Sequence, residues 1–294
     1  MTKPLSQFAI AWACLAACCV ASPSLAASGR SPRNAGTIVV DSESKFSHVR
    51  VRKLGDILTM LFVRSSGEEV VESKLNLKKP CDPVLPYTRF MFASYLFKAK
   101  PDRVLIVGLG GGGMVHFLTH YDPDVQVDAV EIDPLVVKIA DEQFGTRCGD
   151  KVKIVTADAF AFLADPELTK PERQYDVIYM DAFLKPSADT DATGTPLRLK
   201  TAQFYRSLQK EIKPDGCVVF NLNPHEGVEA DIKAIRNEFP QTYVFRVADT
   251  NIVVVAVMAA TRARTATLRT QARDLDHRFK TSFSFAEMVN EMTR

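Results

Sequence analysis

A glycine-rich segment in the first half of the chain could let the backbone come very close to a bound ligand. Residues 108–113 match the pattern Gly-x-Gly-x-x-Gly and directly follow the apolar run 104–107. Glycines allow the tight turn from a strand into a helix and leave no side chain between the backbone and a ligand. The glycines that we expect to contact a nucleoside or nucleotide are Gly108, Gly110, Gly111 and Gly112.

Acidic residues follow the next two apolar runs and could recognise the rest of an adenosine. Glu131 comes 23 residues after Gly108 (131 − 108), where a carboxylate can accept both ribose hydroxyls. Asp158 ends the following run and could accept from the adenine amino group, while Ala159 and Phe160 supply side chains to cover the ring. No positive charge stands near the glycines for a pyrophosphate, so this set favours an adenosyl sulfonium over a dinucleotide.

Asp181 ends a fourth apolar run and is the candidate catalytic residue. The carboxyl ends of strands are where α/β sheets place ligands and reacting groups. An amine with a pKa near ~10 is mostly protonated at neutral pH, so a nearby carboxylate could bind it and take up its proton. The alternative is that Asp181 merely caps a loop.

The elements that must position these residues alternate between strands and helices. Apolar runs that predict strands occur at 104–107, 127–132, 152–156, 177–180, 218–222, 243–247 and 252–258. The last two follow each other with only a short turn, which indicates a terminal antiparallel hairpin. An α/β fold with a mostly parallel, seven-stranded sheet and such a hairpin is typical of class I AdoMet-methyltransferase-like Rossmann domains.

The flanking regions differ from this central pattern. We predict a small antiparallel β module over residues 37–80, the Rossmann-like domain over 84–260 and a helical tail over 261–294. Residues 1–26 resemble a signal peptide, with an apolar core and small residues before a cleavage point after Ala26. A competing interpretation is a lipoprotein signal that ends before Cys18, which would then carry a lipid anchor. Either form predicts a bacterial exported protein, periplasmic or lipid-anchored, whereas an uncleaved anchor is the third option.

Composition excludes some partners and cofactors. The chain has 37 basic and 35 acidic residues, so the net charge of +2 gives no indication of nucleic-acid binding. Cys81, Cys148 and Cys217 lie far apart without neighbouring histidines, and no metal site is predicted. Cys217 is expected to be a buried strand residue.

The motifs around these residues resemble the spermidine/spermine synthase family, and most closely its divergent spermidine-synthase-like branch. The resemblance extends over residues 37–260, and Gly108–Gly113 with Val130-Glu131-Ile132-Asp133-Pro134 is also similar to a eukaryotic elongation-factor methyltransferase. The family implies decarboxylated S-adenosylmethionine (AdoMet) as donor, a small amine such as putrescine as acceptor, and often a homodimer. By position, Glu131 would hold the ribose, Asp158 the adenine edge, and Asp181 would be the catalytic acid or base.

The chain departs from the pattern of this family in three places, and one of them is that the Tyr-x-Glu substrate segment usual before the first helix is not evident. Its members typically carry an aspartate in the glycine loop that contacts the amine of the donor, where this chain has Gly111. They carry a second aspartate after the fourth strand that binds the diamine, where this chain has Leu184. Asp189 and Asp191, in the loop that follows, are candidate replacements.

Three functions therefore stay open from the sequence. The first is aminopropyl transfer to putrescine or another amine. The second is methyl transfer from AdoMet itself, which the absence of the loop aspartate favours. The third is a non-catalytic, exported polyamine- or nucleoside-binding protein, which the export signal favours.

Overall fold

A four-stranded antiparallel sheet is the first element of the structure, a computed structural model that describes residues 36–247 and 250–293. The strands are β1 (Thr37–Glu43), β2 (His48–Leu54), β3 (Ile57–Val63) and β4 (Glu69–Asn76), and they pair in chain order. Alternating residues such as Val49 and Val51 are buried on one face, as the period of two in a half-buried strand requires. This face packs against Val136, Ile139 and Phe144 of a helix in the main domain, which brings β4 close to the glycine turn.

The large sheet contains the expected strands and a short additional one. Its members are β5 (Arg103–Val107), β6 (Gln126–Glu131), β7 (Val152–Thr156), β8 (Tyr175–Met180), β9 (Ile212–Leu222), β10 (Gln241–Val247), β11 (Asn251–Val257) and β12 (Met292–Thr293). The order is β12-β10-β11-β9-β8-β5-β6-β7, with parallel pairing from β9 to β7 and antiparallel pairing of β11 with β9 and β10. The predicted fold class is confirmed. The eighth strand, β12, is too short to give a sequence pattern.

Helices cover both faces of the large sheet, which explains why its central strands are mostly apolar. They are α1 (Pro86–Met91), α2 (Gly113–Tyr121), α3 (Pro134–Phe144), α4 (Ala159–Leu163), α5 (Ala202–Glu211), α6 (Val228–Glu238), α7 (Thr265–Phe279) and α8 (Phe285–Glu291). Every residue of β8 is buried, as expected for a strand between two helical layers. The helix α1 ends at Met91, and a 3₁₀ helix continues it over Phe92–Leu96.

The C-terminal tail packs onto the domain instead of standing apart from it. Leu268, Ala272, Leu275 and Phe279 of α7 are buried, as their helical spacing indicates. The tail also supplies β12, which pairs with β10 at the edge of the sheet. Cys217 is buried in β9, as expected.

The predicted signal segment, 1–26, and the candidate lipid-anchor residue Cys18 lie outside the described residues. Among the helices of residues 36–247 and 250–293, none is both long and apolar enough to span a bilayer. The described residues from Gly36 onwards belong to a single compact unit.

Candidate active site

A cavity of about 690 Å³ lies where β5, β6, β7 and β8 end, and the small sheet and the start of α1 complete its walls. Its volume is in the usual range for sites that bind small molecules. The acidic residues in the wall are Glu72, Asp82, Glu131, Asp158, Asp181 and Asp189. The basic residues are Lys45, Lys74, Lys185 and Arg198, so acidic groups outnumber basic ones.

The glycine turn after β5 forms one side of the cavity, but only some of its glycines line the cavity. Gly108 has φ +95°, and a Cβ there would lie 2.1 Å from the carbonyl oxygen of Asp181. Gly110 also has positive φ, and both glycines line the cavity. Only glycine adopts this backbone without strain, so glycine at position 108 lets the turn pass close to the backbone of Asp181.

Gly111 and Gly112 do not line the cavity, although the sequence predicts that they contact the ligand. A Cβ on Gly111 would lie 2.6 Å from the ring of Phe144, and one on Gly112 would lie 2.2 Å from the side chain of Thr146. These two glycines therefore allow the turn to pack against the end of α3. The Thr146 hydroxyl fixes this packing by donating to the Gly111 carbonyl over 2.8 Å.

Glu131 is buried at the end of β6 and stabilises the glycine turn by hydrogen bonding. Its Oε2 accepts from the backbone N–H of Leu109 over 2.9 Å, and Oε1 accepts from that of Asp133 over 2.9 Å. Burial raises the pKa of Glu131, although these hydrogen bonds oppose the effect. Each carboxylate oxygen keeps a further lone pair, so a pair of ribose hydroxyls could be accepted as well.

Asp158 caps α4 and lines the same cavity. Its Oδ1 accepts from the N–H of Phe160 over 2.7 Å and from that of Ala161 over 3.3 Å. The Arg198 guanidinium lies 3.8 Å from the centre of the Phe160 ring and 3.6 Å from Oδ2 of Asp158. With Ala159 also in the wall, these groups form a flat, partly apolar end that could hold a planar ring.

Asp181 lines the cavity directly after the end of β8. Its Oδ1 accepts from Nδ2 of Asn221 over 2.7 Å, and its Oδ2 accepts from the Tyr87 hydroxyl over 3.3 Å. Burial raises the pKa of this carboxyl to about 6, even though both hydrogen bonds lower it. A carboxyl with this pKa is mostly ionised at neutral pH and is basic enough to accept a proton from a substrate.

The structure adds three residues to which the sequence assigned no role. Tyr87 of α1 and Asn221 of β9 hold the Asp181 carboxylate, and Glu72 of β4 faces the same cavity. Nothing in the local sequence around Tyr87 assigns it a partner. Glu72 and Asn221 lack any sequence signal, because their relation to Asp181 arises only from the packing of separate elements.

Of the two candidate replacements in the loop after β8, only Asp189 lines the cavity, together with Leu184. Asp191 points elsewhere, because its carboxylate pairs with the ammonium group of Lys200. Asp231 also pairs with this ammonium group, and Nε2 of His225 lies 3.3 Å from it. The three possible ligands Asp191, His225 and Asp231 thus already surround a positive charge, so we assign no metal to them.

Sequence comparison connects this arrangement to known enzymes. Residues 85–263 match the model of the spermine/spermidine synthase domain. The chain belongs to the spermine/spermidine synthase family. It is similar to a polyamine aminopropyltransferase of Chromobacterium violaceum, with 30% identity over 232 residues that cover 77% of this chain and 83% of the relative. Membership of this family makes the chain a transferase.

Solved structures agree on the fold. A spermidine synthase in complex with the transition-state analogue AdoDATO superposes with a TM-score of 0.62 at 19% identity, covering 86% of this chain and 84% of the other. Human methyltransferase-like protein 13 in complex with SAH gives a TM-score of 0.61 at 24% identity, covering 68% of this chain and 95% of the other. The fold of this chain is therefore shared by a spermidine synthase and by a methyltransferase-like protein.

Proposed function

We propose that this transferase moves an aminopropyl group from decarboxylated AdoMet to a small amine such as putrescine. The observation that carries the proposal is the position of Asp181, in one cavity with Glu131 and Asp158. The adenosine would lie between the last two residues, with its ribose on Glu131 and its adenine at the flat end formed by Asp158, Ala159 and Phe160. The relative from Chromobacterium violaceum is a polyamine aminopropyltransferase, and this supports the same reaction class.

The reaction requires little more than positioning and one proton acceptor. The lone pair of the acceptor nitrogen forms a bond to the propyl carbon next to sulfur, and the carbon–sulfur bond breaks. Its electron pair stays on sulfur, which becomes the neutral thioether of methylthioadenosine. The nitrogen loses one proton, and Asp181 is placed to receive it because its carboxylate faces the cavity and is held by Asn221 and Tyr87.

The test is product analysis with purified protein that begins at Ala27. Incubation with decarboxylated AdoMet and putrescine should yield equal amounts of methylthioadenosine and aminopropylated amine, measured by mass spectrometry. Asp181→Asn should slow the formation of both products by roughly 10²- to 10⁴-fold, whereas Asp150→Asn, in an exposed loop, should not change it. The absence of both products with a panel of di- and polyamines would reject the proposal.

Methyl transfer from AdoMet is the second candidate. Gly111 has no side chain and does not line the cavity, so this position of the turn does not select a donor amine. The structural similarity to human methyltransferase-like protein 13, which is solved with SAH, agrees with this alternative. Formation of S-adenosylhomocysteine and a methylated amine from AdoMet would favour it over aminopropyl transfer.

We also propose that the chain is exported, on the basis of residues 1–26 alone. Expression of the full chain with a C-terminal tag, followed by cell fractionation and intact-mass measurement, tests this. A new N-terminus at Ala27 indicates a soluble periplasmic form, and a lipidated Cys18 indicates an anchored form. Export would restrict the supply of the nucleoside donor. If the transfer assay yields no product, we therefore expect the chain to be a non-catalytic, exported binding protein.

A further inference from the structure

Glu72 is an acidic residue without a partner in the wall of the cavity. Its side chain, on β4, faces the cavity and makes no hydrogen bond or ion pair with any described residue. Burial and the negative charges of Asp181 and Glu131 raise the pKa of Glu72 to about 8, and Arg64 lowers it only in part. Glu72 is half-buried in this wall, and a carboxyl that is shielded from bulk water without a hydrogen-bonding partner is costly, so its position calls for a ligand.

The packing of β4 places this carboxyl beside the reacting residues. The Oγ atom of Ser73, the next residue in the strand, would lie 3.6 Å from a Cβ built on Gly110, so β4 packs onto the glycine turn. Tyr87 lines the same cavity and donates from its hydroxyl to Asp181, and its pKa is raised by burial and by the charges of Asp181 and Glu72. Two carboxyl groups from distant parts of the chain therefore face one space.

We propose that Glu72 binds a primary ammonium group of the substrate and so makes the site selective for cationic amines. An ammonium group offers three donors and one positive charge, which satisfies Glu72 and relieves its repulsion with Asp181. A ligand carrying a carboxylate at the same place would be repelled. The proposal rests on the proposed function, because it assigns the amine that this function requires to a residue of this chain.

The ammonium group could belong to the tail of the donor or to the acceptor. Decarboxylated AdoMet carries one such group and AdoMet carries a carboxylate next to it, whereas methylthioadenosine has neither. Putrescine carries ammonium groups but no nucleoside. Binding measurements with these four compounds therefore separate the two sources from each other and from the nucleoside contacts.

Isothermal titration calorimetry of the wild-type chain, Glu72→Gln and Glu68→Gln tests the proposal. Glu68 is an exposed residue in the turn before β4 and provides the matched control. With Glu72→Gln, we expect the affinity for decarboxylated AdoMet, or that for putrescine in the presence of methylthioadenosine, to fall roughly 10- to 100-fold. The affinity for methylthioadenosine should change less than about 2-fold, and Glu68→Gln should match the wild type throughout.

Proton release gives a second readout that a merely structural role would not change. Near pH 7 the Glu72 carboxyl is mostly protonated, since its pKa is about 8 and it is surrounded by Asp181, Glu131, Arg64 and Tyr87. Binding of an ammonium group should ionise it and release a proton to the buffer, which titrations in buffers of different ionisation enthalpy detect. Glu72→Gln should remove most of this release.

The outcomes discriminate clearly between the two proposals. Loss of decarboxylated AdoMet affinity alone assigns Glu72 to the donor tail, and loss of putrescine affinity alone assigns it to the acceptor. The role of Glu72 would be overturned if Glu72→Gln lowered the affinity for all ligands equally, methylthioadenosine included. It would also be overturned if no affinity changed, and either result would leave the proposed function standing. Failure of the wild-type chain to bind any of the nucleosides would overturn both proposals.

Discussion

The side-chain amide of Asn221 donates a 2.7 Å hydrogen bond to Oδ1 of Asp181. A second hydrogen bond fixes the orientation of this amide, because the amide oxygen of Asn221 accepts from Nδ2 of Asn251 over 2.9 Å. Asn251 begins β11 and Asn221 lies near the end of β9, so two neighbouring strands hold the carboxylate at the end of β8 in one position. A carboxylate that is fixed in this way loses little entropy when it meets a substrate.

Removal of this hydrogen bond should change the pH dependence of the reaction. Asp181 must be ionised to accept a proton, so kcat/KM should rise with pH through about 6. In Asn221→Ala the stabilising donor is lost, the pKa of Asp181 rises further, and the acidic limb moves to higher pH. We expect the rate to fall more at pH 6 than at pH 8 in a pH–rate profile. An equal loss at all pH values would indicate that Asn221 only maintains the fold.

Replacement of Asp181 itself should separate catalysis from stability. Asp181→Asn should reduce kcat by roughly 10²- to 10⁴-fold, because the proton acceptor is gone. In the wild type, the folded-state pKa of Asp181 lies above the ordinary value of 3.8. The stability that this carboxyl contributes is therefore complete below pH 3.8, and it is lost as pH rises through about 6. The variant should therefore be at least as stable as the wild type at pH 8, and the difference should vanish near pH 4. Thermal denaturation at both pH values measures this, and a lower melting temperature at pH 8 would contradict it.

Glu131 should contribute both to the affinity for the nucleoside and to the stability of the glycine turn. In Glu131→Gln, the amide NH₂ would face a backbone N–H of Leu109 or Asp133, and one buried donor would lose its acceptor. We expect a loss of about 1–3 kcal/mol in the free energy of unfolding. The affinity for methylthioadenosine should fall at least about 10-fold in calorimetry. Glu142→Gln, on the exposed face of α3, is the matched control and should change neither quantity. Unchanged nucleoside binding in the Glu131→Gln variant would remove Glu131 from the site.

Two glycines of the same turn should respond in opposite ways to alanine. Gly108→Ala forces a methyl group against the Asp181 carbonyl at a φ of +95°, and we expect a loss of about 3 kcal/mol or more, or no folded protein. Gly113→Ala, at the first position of α2, meets no atom within 4 Å and should be neutral or stabilising by up to about 1 kcal/mol. Urea denaturation compares the two variants. Similar losses at both positions would show that the turn does not approach β8 closely.

The strands, the glycine turn and the acidic residues at the strand ends all follow from local sequence patterns. Buried parallel strands require continuous apolar runs, the turn after β5 requires glycine, and polar residues at strand ends collect at one edge of a parallel sheet. Gly108, Glu131, Asp158 and Asp181 could therefore be found from type and spacing alone. The terminal hairpin followed from two apolar runs with a short turn between them.

The side chains that surround Asp181 are set by packing between elements, which no local pattern reveals. Tyr87 and Asn221 are 94 and 40 residues away from it in the chain, and Glu72 comes from a different sheet. Packing also turned Gly111 toward Phe144, so Gly111 does not line the cavity. It paired Asp191 with Lys200, so Asp191 is not available to a ligand. Periodicity reports only which way a residue faces within its own element. Contacts between elements depend on how their surfaces fit together, and this information is spread over the whole chain.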